Sequence, residues 1–375
     1  MKKVIIIGGG FAGLSTASHL FRSGFKLEVR LIDKKLTNDF LPTLPDCLGR
    51  GINPDYLSYG IESAAKQFKF QFIHNEVNTV NLEKKEVFIL NQRLEYDYLI
   101  IASGSETNFY GNENIKNNAY KLDSCADAKV IAEVLKQKDF NTYIISGGGY
   151  TGIEVATNLK LFLNKQSKNK RIIIVERAAA ILGSLPEWMK AYVADNLKRL
   201  NIEVFTNSAI ERIEGEKVFL SEGRVFENAM VIWAAGVKAA KFIQDLEVEK
   251  NPQGRIKVDE FLRLNDACFA VGDAAYFVHE KSFLRMAVQF AIVEGECAAI
   301  NILRSIRGKP LIKYKPIDLG YIIPMANNCS SGRVLGVNLT GLLPTVFHFI
   351  MCIYRSYGMK NKLGIIGDLI RGGGK

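Results

Sequence analysis

The sequence predicts an α/β protein with two doubly wound units and a carboxyl-terminal extension. Three observations carry that prediction. A strand, a Gly-x-Gly-x-x-Gly turn, a helix and a second strand ended by an acid follow one another within residues 4–33. The same order returns from residue 143 to residue 176, with Gly147 standing 139 residues after Gly8. After residue 310 this grammar stops, and short strands, turns and an apolar stretch take over. A chain of 375 residues has the length of about two domains.

In the first copy, Val4 to Ile7 are apolar and β-branched, the composition of a strand buried on both faces in a parallel sheet. Gly8, Gly10 and Gly13 follow at once. Gly8 permits the tight turn, Gly10 lets the backbone approach a pyrophosphate, and Gly13 lets helix and strand pack closely. LSTASHLF continues as a helix that stops near Ser23-Gly24, a C-cap glycine. Its free amino-terminal N–H groups and partial positive charge suit phosphates. LEVRLI is the second strand, and Asp33, twenty residues after Gly13, can accept hydrogen bonds from a ribose. A lone GxGxxG is weak, but here all five pieces occur in order, which defines a Rossmann-like dinucleotide-binding unit.

The second copy has the strand YIIS, then Gly147, Gly149 and Gly152, a helix through about Leu163, a polar loop, the strand RIIIV, and Glu176 at its end. An internal repeat of a whole binding unit implies two dinucleotides. One is expected to be a held flavin, the other an exchanging nicotinamide. A carboxylate at Glu176 binds a 2′-hydroxyl and repels a 2′-phosphate, which favours NADH over NADPH, although Arg177 next to it partly offsets the repulsion.

Three further runs share one grammar, a strand ending in a small-residue turn: EYDYLIIASG at 95–104, MVIWAAGV at 230–237 and CFAVGDAA at 268–275. Singly each is an ordinary strand end. Behind two glycine turns they suit a chain that returns to bound cofactors, with Asp273 placed to bind hydroxyls of a flavin side chain.

With those residues in view, the sequence resembles the two-dinucleotide flavoprotein disulfide reductase superfamily and, within it, the type II NADH dehydrogenases. The carriers are IIIGGGFAG, YDYLIIASGSETNFYG, GGGYTGIEVA, VIWAAGV and FAVGDAA, of which LIIASGSETNFYG and WAAG are the more family-specific; the likeness runs to about residue 300. The resemblance implies FAD on the first unit, contacted by Gly8, Gly10, Phe11, Ala12, Gly13, Asp33, Lys34, Ala102, Ser103, Gly104, Gly272 and Asp273, with Pro42 of FLP and Gln289 beside the flavin ring. It implies NADH on the second, contacted by Gly147, Gly149, Tyr150, Thr151, Gly152, Glu154, Glu176, Ala235 and Gly236. MAVQFAIVEG at 286–295 resembles the family's quinone-side segment, with Gln289 at its characteristic glutamine. Val293 and Glu294 depart from the two glutamines common before that glycine. The implied domains are a discontinuous FAD domain of residues 1–112 and 251–330, an NADH domain of residues 113–250, and a carboxyl-terminal segment, 331–375, that serves a membrane surface or a dimer. The implied reaction carries a hydride from NADH to FAD and two electrons on to a membrane quinone or other small acceptor, without proton pumping. Glu154 and Gln289 are its candidate catalytic residues.

Glu154 stands where the first copy has Ser15. It reads either as a helix-end charge, worth about 0.3–1 kcal/mol, or, from the resemblance, as a group near the two reacting rings. Cys47 lies a few residues beyond FLP, where soluble NADH oxidases and peroxidases carry one redox cysteine; Pro42 occupies the position of a disulfide partner, so Cys47 reads as structural. Cys125 and Cys329 are a remoter sulfide-oxidising pair. Cys125 falls at a helix start that Asp123 is placed to cap. The alternatives are therefore an oxidase or peroxidase using Cys47, an NADH-dependent reductase of a small electron-carrier protein, and a nucleotide-sensing module without catalysis.

The remaining features narrow the class. Hydrophobic content of 48% and charged content of 23% suit a soluble globular protein, and 32 glycines, many in clusters, point to backbone-lined sites. Net charge is +10, which favours anionic partners, but no basic run is interleaved with aromatics, so nucleic acid is not expected. The six cysteines and four histidines are scattered, without C-x-x-C spacing, which argues against a metal, an iron–sulfur centre or a local redox disulfide and suits a reducing cytosol. No signal peptide and no run of eighteen apolar residues occur. Near the end, the apolar core from Val346 to Tyr354 is bordered by Arg333, Arg355, Lys360, Lys362, Arg371 and Lys375, with Asp368 the one acid after residue 330. An apolar helix among cations suits the plane of an anionic membrane, so the expected place is cytoplasmic, peripheral on the inner face of the cell membrane. A dimer interface is the other use of such a helix.

Overall fold

The computed structural model describes residues 1–90, 92–279 and 282–372, so Lys375 lies outside the described residues. In chain order the principal elements are β1 (Lys2–Ile7), α1 (Phe11–Arg22), β2 (Leu27–Asp33), β3 (Gln71–His74), β4 (Tyr98–Ile101), β5 (Tyr120–Lys121), β6 (Thr142–Ser146), α2 (Tyr150–Lys165), β7 (Arg171–Val175), β8 (Glu203–Phe205), β9 (Ala229–Trp233), β10 (Cys268–Ala270) and α3 (Val288–Ile306). The chain then forms β11 (Gly320–Ile323), β12 (Ser330–Val334), β13 (Val337–Gly341), α4 (Leu342–Arg355) and α5 (Met359–Gly372). They fall into two compact units. The first holds residues 1–38, 59–106 and 237–318; the second holds 39–58, 107–236 and 319–375.

The first unit is built on a parallel five-stranded sheet in the order β10-β4-β1-β2-β3. β1 is central because Val4 to Ile7 are apolar on both faces and all four are buried. Removing such a side chain from water is worth about 1.5–3 kcal/mol. Its register pairs Ile7 with Ile32 on one side and with Ile101 on the other. β2 and β4 leave β1 on opposite sides, so the carboxyl end of β1 is the topological switch point, where α/β sheets bind ligands.

The second unit repeats this plan in the order β5-β9-β6-β7-β8, with Ser146 at the end of β6 opposite Val175 and Trp233. The repeat extends further than its glycine turns. In each unit a three-stranded antiparallel meander precedes the strand that returns to the switch point. It spans residues 77–95 in the first and 210–226 in the second.

The units divide the chain at other points than the expected 112/113, 250/251 and 330/331. Residues 107–112 go with the second unit, where Phe109 stacks on Trp233 at 5.7 Å and Trp233 Nε1 donates to Asn108 O at 3.0 Å. Residues 237–250 go with the first, because Phe242, Ile243 and Leu246 are buried in its core beside Val77, Val80 and Leu94. Residues 319–375 belong to the second unit. There β11, β12 and β13 form an antiparallel sheet, and α4 packs against it. The carboxyl end has two helices, the apolar α4 and the more polar α5, where the sequence suggested one. Among the described residues, no helix is long and apolar enough to cross a membrane.

Candidate cofactor sites in two copies

The two glycine turns are built alike. Gly8 has φ +106°, and a Cβ there would stand 2.3 Å from Ala102 O; Gly147 has φ +104°, and its Cβ would stand 2.9 Å from Ala234 O. The last glycine is squeezed harder. A Cβ on Gly13 would lie 1.9 Å from Gly8 O, and one on Gly152 would lie 1.8 Å from Gly147 O. Gly10 and Gly149 differ from these, since a Cβ on either meets nothing within 4 Å. The protein itself does not require glycine there. The open space is the cradle a phosphate group would fill, and no side chain caps either helix.

The terminal acids do more than wait for a ribose. Asp33 Oδ2 accepts from Gly9 N at 2.6 Å, and Oδ1 accepts from Lys35 N at 2.7 Å. Glu176 Oε2 accepts from Gly148 N at 2.7 Å, and Oε1 accepts from Ala178 N at 2.7 Å. Each carboxylate therefore fastens the middle glycine of its own turn. Gly9 and Gly148 were missed by the GxGxxG pattern, yet the signal was present: both turns read GGG.

In the first unit the switch point opens into a cavity of about 260 Å3, lined by Gly8, Asp33, Lys34, Glu76, Ser103 and Glu106. Lys34 Nζ pairs with Glu106 at 2.5 Å and with Glu76 at 3.2 Å. Ser103 Oγ is buried without a hydrogen-bond partner among the described residues, and buried hydroxyls are seldom left so. An orphaned hydroxyl, an open glycine cradle and a ribose-facing acid fit the adenosine half of a dinucleotide. Gly104, with φ +68°, turns the chain into Ser105, whose Oγ donates to Asp273 Oδ2 at 2.9 Å. Burial raises the Asp273 carboxyl above its ordinary value.

Gln289 is buried in the first turn of α3, and its Nε2 donates to Asp318 Oδ1 at 3.1 Å. Arg285 grips the same carboxylate through both terminal nitrogens, at 2.5 and 2.7 Å. The glutamine is thus held by an ion pair that no sequence motif announced. Pro42 lies in a short 3-10 turn, Leu41–Thr43, that belongs to the second unit.

In the second unit Thr151 is exposed, and the Tyr150 ring meets Tyr321 edge-on at 6.4 Å. Ala235 and Gly236 follow β9. The Tyr110 hydroxyl covers Gly236 so closely that a Cβ there would stand 2.1 Å away. Glu154 is the fifth residue of α2, outside its first turn. Burial, and then the nearby Asp46, push its carboxyl well above the ordinary range. A helix-end charge acts within the first turn, and Glu154 lies beyond it, so the helix-end reading loses its position. Its counterpart Ser15 has a different task, donating to Ile292 O of α3 at 2.7 Å.

Asp46 is itself pushed up to about 6 by burial, opposed by Arg50, whose Nε stands 3.1 Å from Oδ1. Cys47, next to it, is buried, and burial and Asp46 raise its thiol well above the ordinary value. A thiol held protonated is a poor redox centre. Replacing Cys47 by Ser is expected to leave NADH turnover within about twofold, read as steady-state rate; a collapse of turnover would restore the oxidase or peroxidase reading. The Cys125 thiol is likewise raised, to about 12. The cap of its helix is Ser124, not Asp123: Ser124 Oγ accepts from Asp127 N at 3.1 Å, while the Asp123 carboxylate is taken by the Thr107 hydroxyl.

Two Rossmann-like units, each with an acid-fastened glycine turn at its switch point, define an oxidoreductase of the two-dinucleotide class. Residues 2–295 match the pyridine nucleotide-disulphide oxidoreductase family, and the chain belongs to it. It is similar to the type II NADH:quinone oxidoreductase of Staphylococcus haemolyticus, 27% identical over 369 residues and 91% of each chain. It is also similar to that of Haemophilus influenzae, 26% identical over 391 residues, covering 89% of this chain and 87% of the other. In fold it resembles NDH2 from Plasmodium falciparum, solved in complex with NADH. That match has a TM-score of 0.87 at 19% identity and covers 100% of this chain and 98% of the other.

Proposed function

We propose that the chain is a type II NADH:quinone oxidoreductase with FAD and NADH as its cofactors, working at a membrane surface without pumping protons. The observation that carries this reading is the duplicated, acid-fastened glycine turn, taken with whole-length relatives named for that activity. FAD, when bound, supplies the acceptor for the hydride of NADH and the donor of two electrons to the quinone.

The chain's own residues do the rest. Gly10 and the amino end of α1 receive the pyrophosphate of FAD, Asp33 its ribose, and Ser103 and Asp273 its remaining hydroxyls. Gly149 and the amino end of α2 receive NADH, and Glu176 binds its 2′-hydroxyl, disfavouring the 2′-phosphate of NADPH. Hydride transfer depends on alignment, so orientation is the main contribution of these groups. Gln289, held by Asp318 and Arg285, faces the acceptor. In the second unit, burial raises the Glu154 carboxyl above its ordinary range, which suits it to hold a proton during turnover. The apolar outer faces of α4 and α5 lie on the membrane.

The direct test is anaerobic mixing with NADH while watching the flavin absorbance bleach, followed by a panel of quinones. Flavin that NADH cannot reduce would point to a nucleotide-sensing module. Reoxidation only by a small acidic protein, with steep salt dependence, would point to a carrier reductase. Glu154 has its own test. Glu154→Gln keeps shape and hydrogen bonding but cannot give up a proton. Bleaching by NADH is expected to stay within about twofold, while quinone turnover falls on the order of 10²-fold, the scale of a lost general acid. Unchanged quinone turnover would remove Glu154 from the chemistry.

A further inference from the structure

Glu294 is a carboxyl group the reaction above does not use, and it is only 4% exposed. Its Oε2 accepts from Gly272 N at 2.6 Å, so it grips the turn that presents Asp273. The grip cannot slacken easily, because α3 is seated closely on α1. A Cβ on Gly295 would stand 2.3 Å from Ala12 O, and Thr16 Oγ1 lies 2.9 Å from Ala12 O and 3.0 Å from Gly295 O.

Among the described residues, one cation serves this place. Arg255 is buried; its Nε donates to Asp273 O at 3.0 Å, and Nη1 to Leu284 O at 3.4 Å. The half-buried carboxyl of Asp273 and the buried one of Glu294 thus both feel the charge of one buried guanidinium, which itself donates to backbone carbonyls. Charge balance in a dry site favours leaving one acid protonated. Burial raises both, and Glu294 reaches about 8 despite the Gly272 amide and Arg255. Among the described residues, the other titratable groups on the neighbouring elements bring no second cation. His19 of α1 is turned to Glu296 at 3.3 Å, and burial raises the Cys297 thiol and the Tyr314 hydroxyl, so neither adds charge.

We propose that Glu294 is a proton-bearing positioning residue: its carboxyl ties the Gly272–Asp273 turn, and binding of FAD to that turn is coupled to a proton held there. The proposal rests on the FAD site described above. With the proton on, Glu294 accepts from Gly272 N without adding charge. With the proton off, a second carboxylate acts on Asp273, and among the described residues Arg255 is the cation that offsets it. A dinucleotide brings further negative charge and expels water, so it favours the protonated form. By reciprocity, the proton favours FAD. FAD binding therefore takes one proton from solvent onto the Glu294 carboxylate across the alkaline side of neutrality, and FAD affinity falls as pH rises through that range. Nothing is oxidised or reduced in this step. A glutamine at this position could make the same amide contact but could not titrate. The Glu294 departure adds the proton.

FAD release from the holoenzyme on dilution, read by recovery of free flavin fluorescence between pH 6.5 and about 9.5, tests the coupling. Wild type is expected to lose affinity about fivefold to tenfold over that span. Glu294→Gln, which keeps the acceptor and loses the proton, is expected to stay within twofold. A second reading needs no variant: heat of FAD binding to wild type at about pH 8, in two buffers of different ionisation enthalpy, is expected to show net proton uptake. Bound FAD with no uptake, or equal pH profiles for both proteins, overturns the proposal while leaving the FAD site intact. A chain that takes up no FAD overturns both.

Discussion

Gly13→Val is expected to yield a folded chain that does not retain FAD, and Gly152→Val one that retains FAD but cannot reduce it with NADH. The two sites are squeezed alike, with a Cβ 1.9 Å from Gly8 O in one and 1.8 Å from Gly147 O in the other. The obstructing atom is backbone in both cases, so no side-chain rotation relieves the clash. The helix must move off its strand, at a cost of about 1–3 kcal/mol for an overpacked core and more for a rigid one. A shift of about an ångström at a phosphate cradle is enough to cost on the order of 10²-fold in hydride transfer. Flavin-to-protein absorbance reads the first variant, and stopped-flow bleaching reads the second. Thermal unfolding of each guards against global collapse. If Gly152→Val is reduced by NADH at the wild-type rate, the second unit is not the donor site. If Gly13→Val keeps its flavin but loses reduction by NADH, the two roles are exchanged.

The pair of variants rests on the part of the molecule that was plainest in the sequence. Gly13 and Gly152 were legible because their requirement is local, backbone meeting backbone five residues back, whereas Gly8 and Gly147 also face Ala102 and Ala234, far along the chain. Glu176 and Asp33 were legible as acids at strand ends, but their bonds to Gly148 and Gly9 were not, since the reading looked outward to a ribose and not back to the turn. Glu294 was legible only as a departure from two glutamines. Its burial and its bond to Gly272 arise from segments 22 residues apart that a sheet and a helix bring together. The same reason hid Asp318 and Arg285 behind Gln289. Ser15 and Glu154 show how far a repeat can mislead: they hold the same step of the same helix, yet Ser15 is spoken for by α3, and Glu154 lies near Asp46, a neighbour the sequence did not foretell. Ser124 replaced Asp123 as a helix cap because DSxxD offers two candidates, and only the Thr107 hydroxyl, distant in sequence, decides between them.

Ile350→Glu combined with Ile370→Glu is expected to release the chain from anionic vesicles. Ile350 in α4 is 54% exposed and Ile370 in α5 is 73% exposed, with Leu363, Ile366 and Tyr354 also outward. Each apolar side chain that leaves lipid for water gives up about 1.5–3 kcal/mol. Together the two changes cost about 3–6 kcal/mol, a fall of roughly 10²- to 10⁴-fold in partitioning. Flotation with vesicles of anionic and of zwitterionic phospholipid measures it. Arg333, Lys360 and Arg371 should add a salt-sensitive part of about 1 kcal/mol each near an anionic surface. The outward residues cannot simply turn inward when lipid is absent, because α5 is tied down on its other side. Asn361 Nδ2 donates to Ser58 O at 2.9 Å, and Asp368 Oδ2 accepts from Asn53 N at 2.9 Å. Gly364 sits so close to Tyr56 that a Cβ would stand 2.3 Å from its ring. The apolar face is therefore a fixed feature of the folded chain, and on the proposed reading lipid covers it. Should the double variant float with anionic vesicles as well as wild type does, that cover is another protein surface. Loss of a lipid-free dimer in the same variant, by sedimentation, would then identify it as a second copy of this chain.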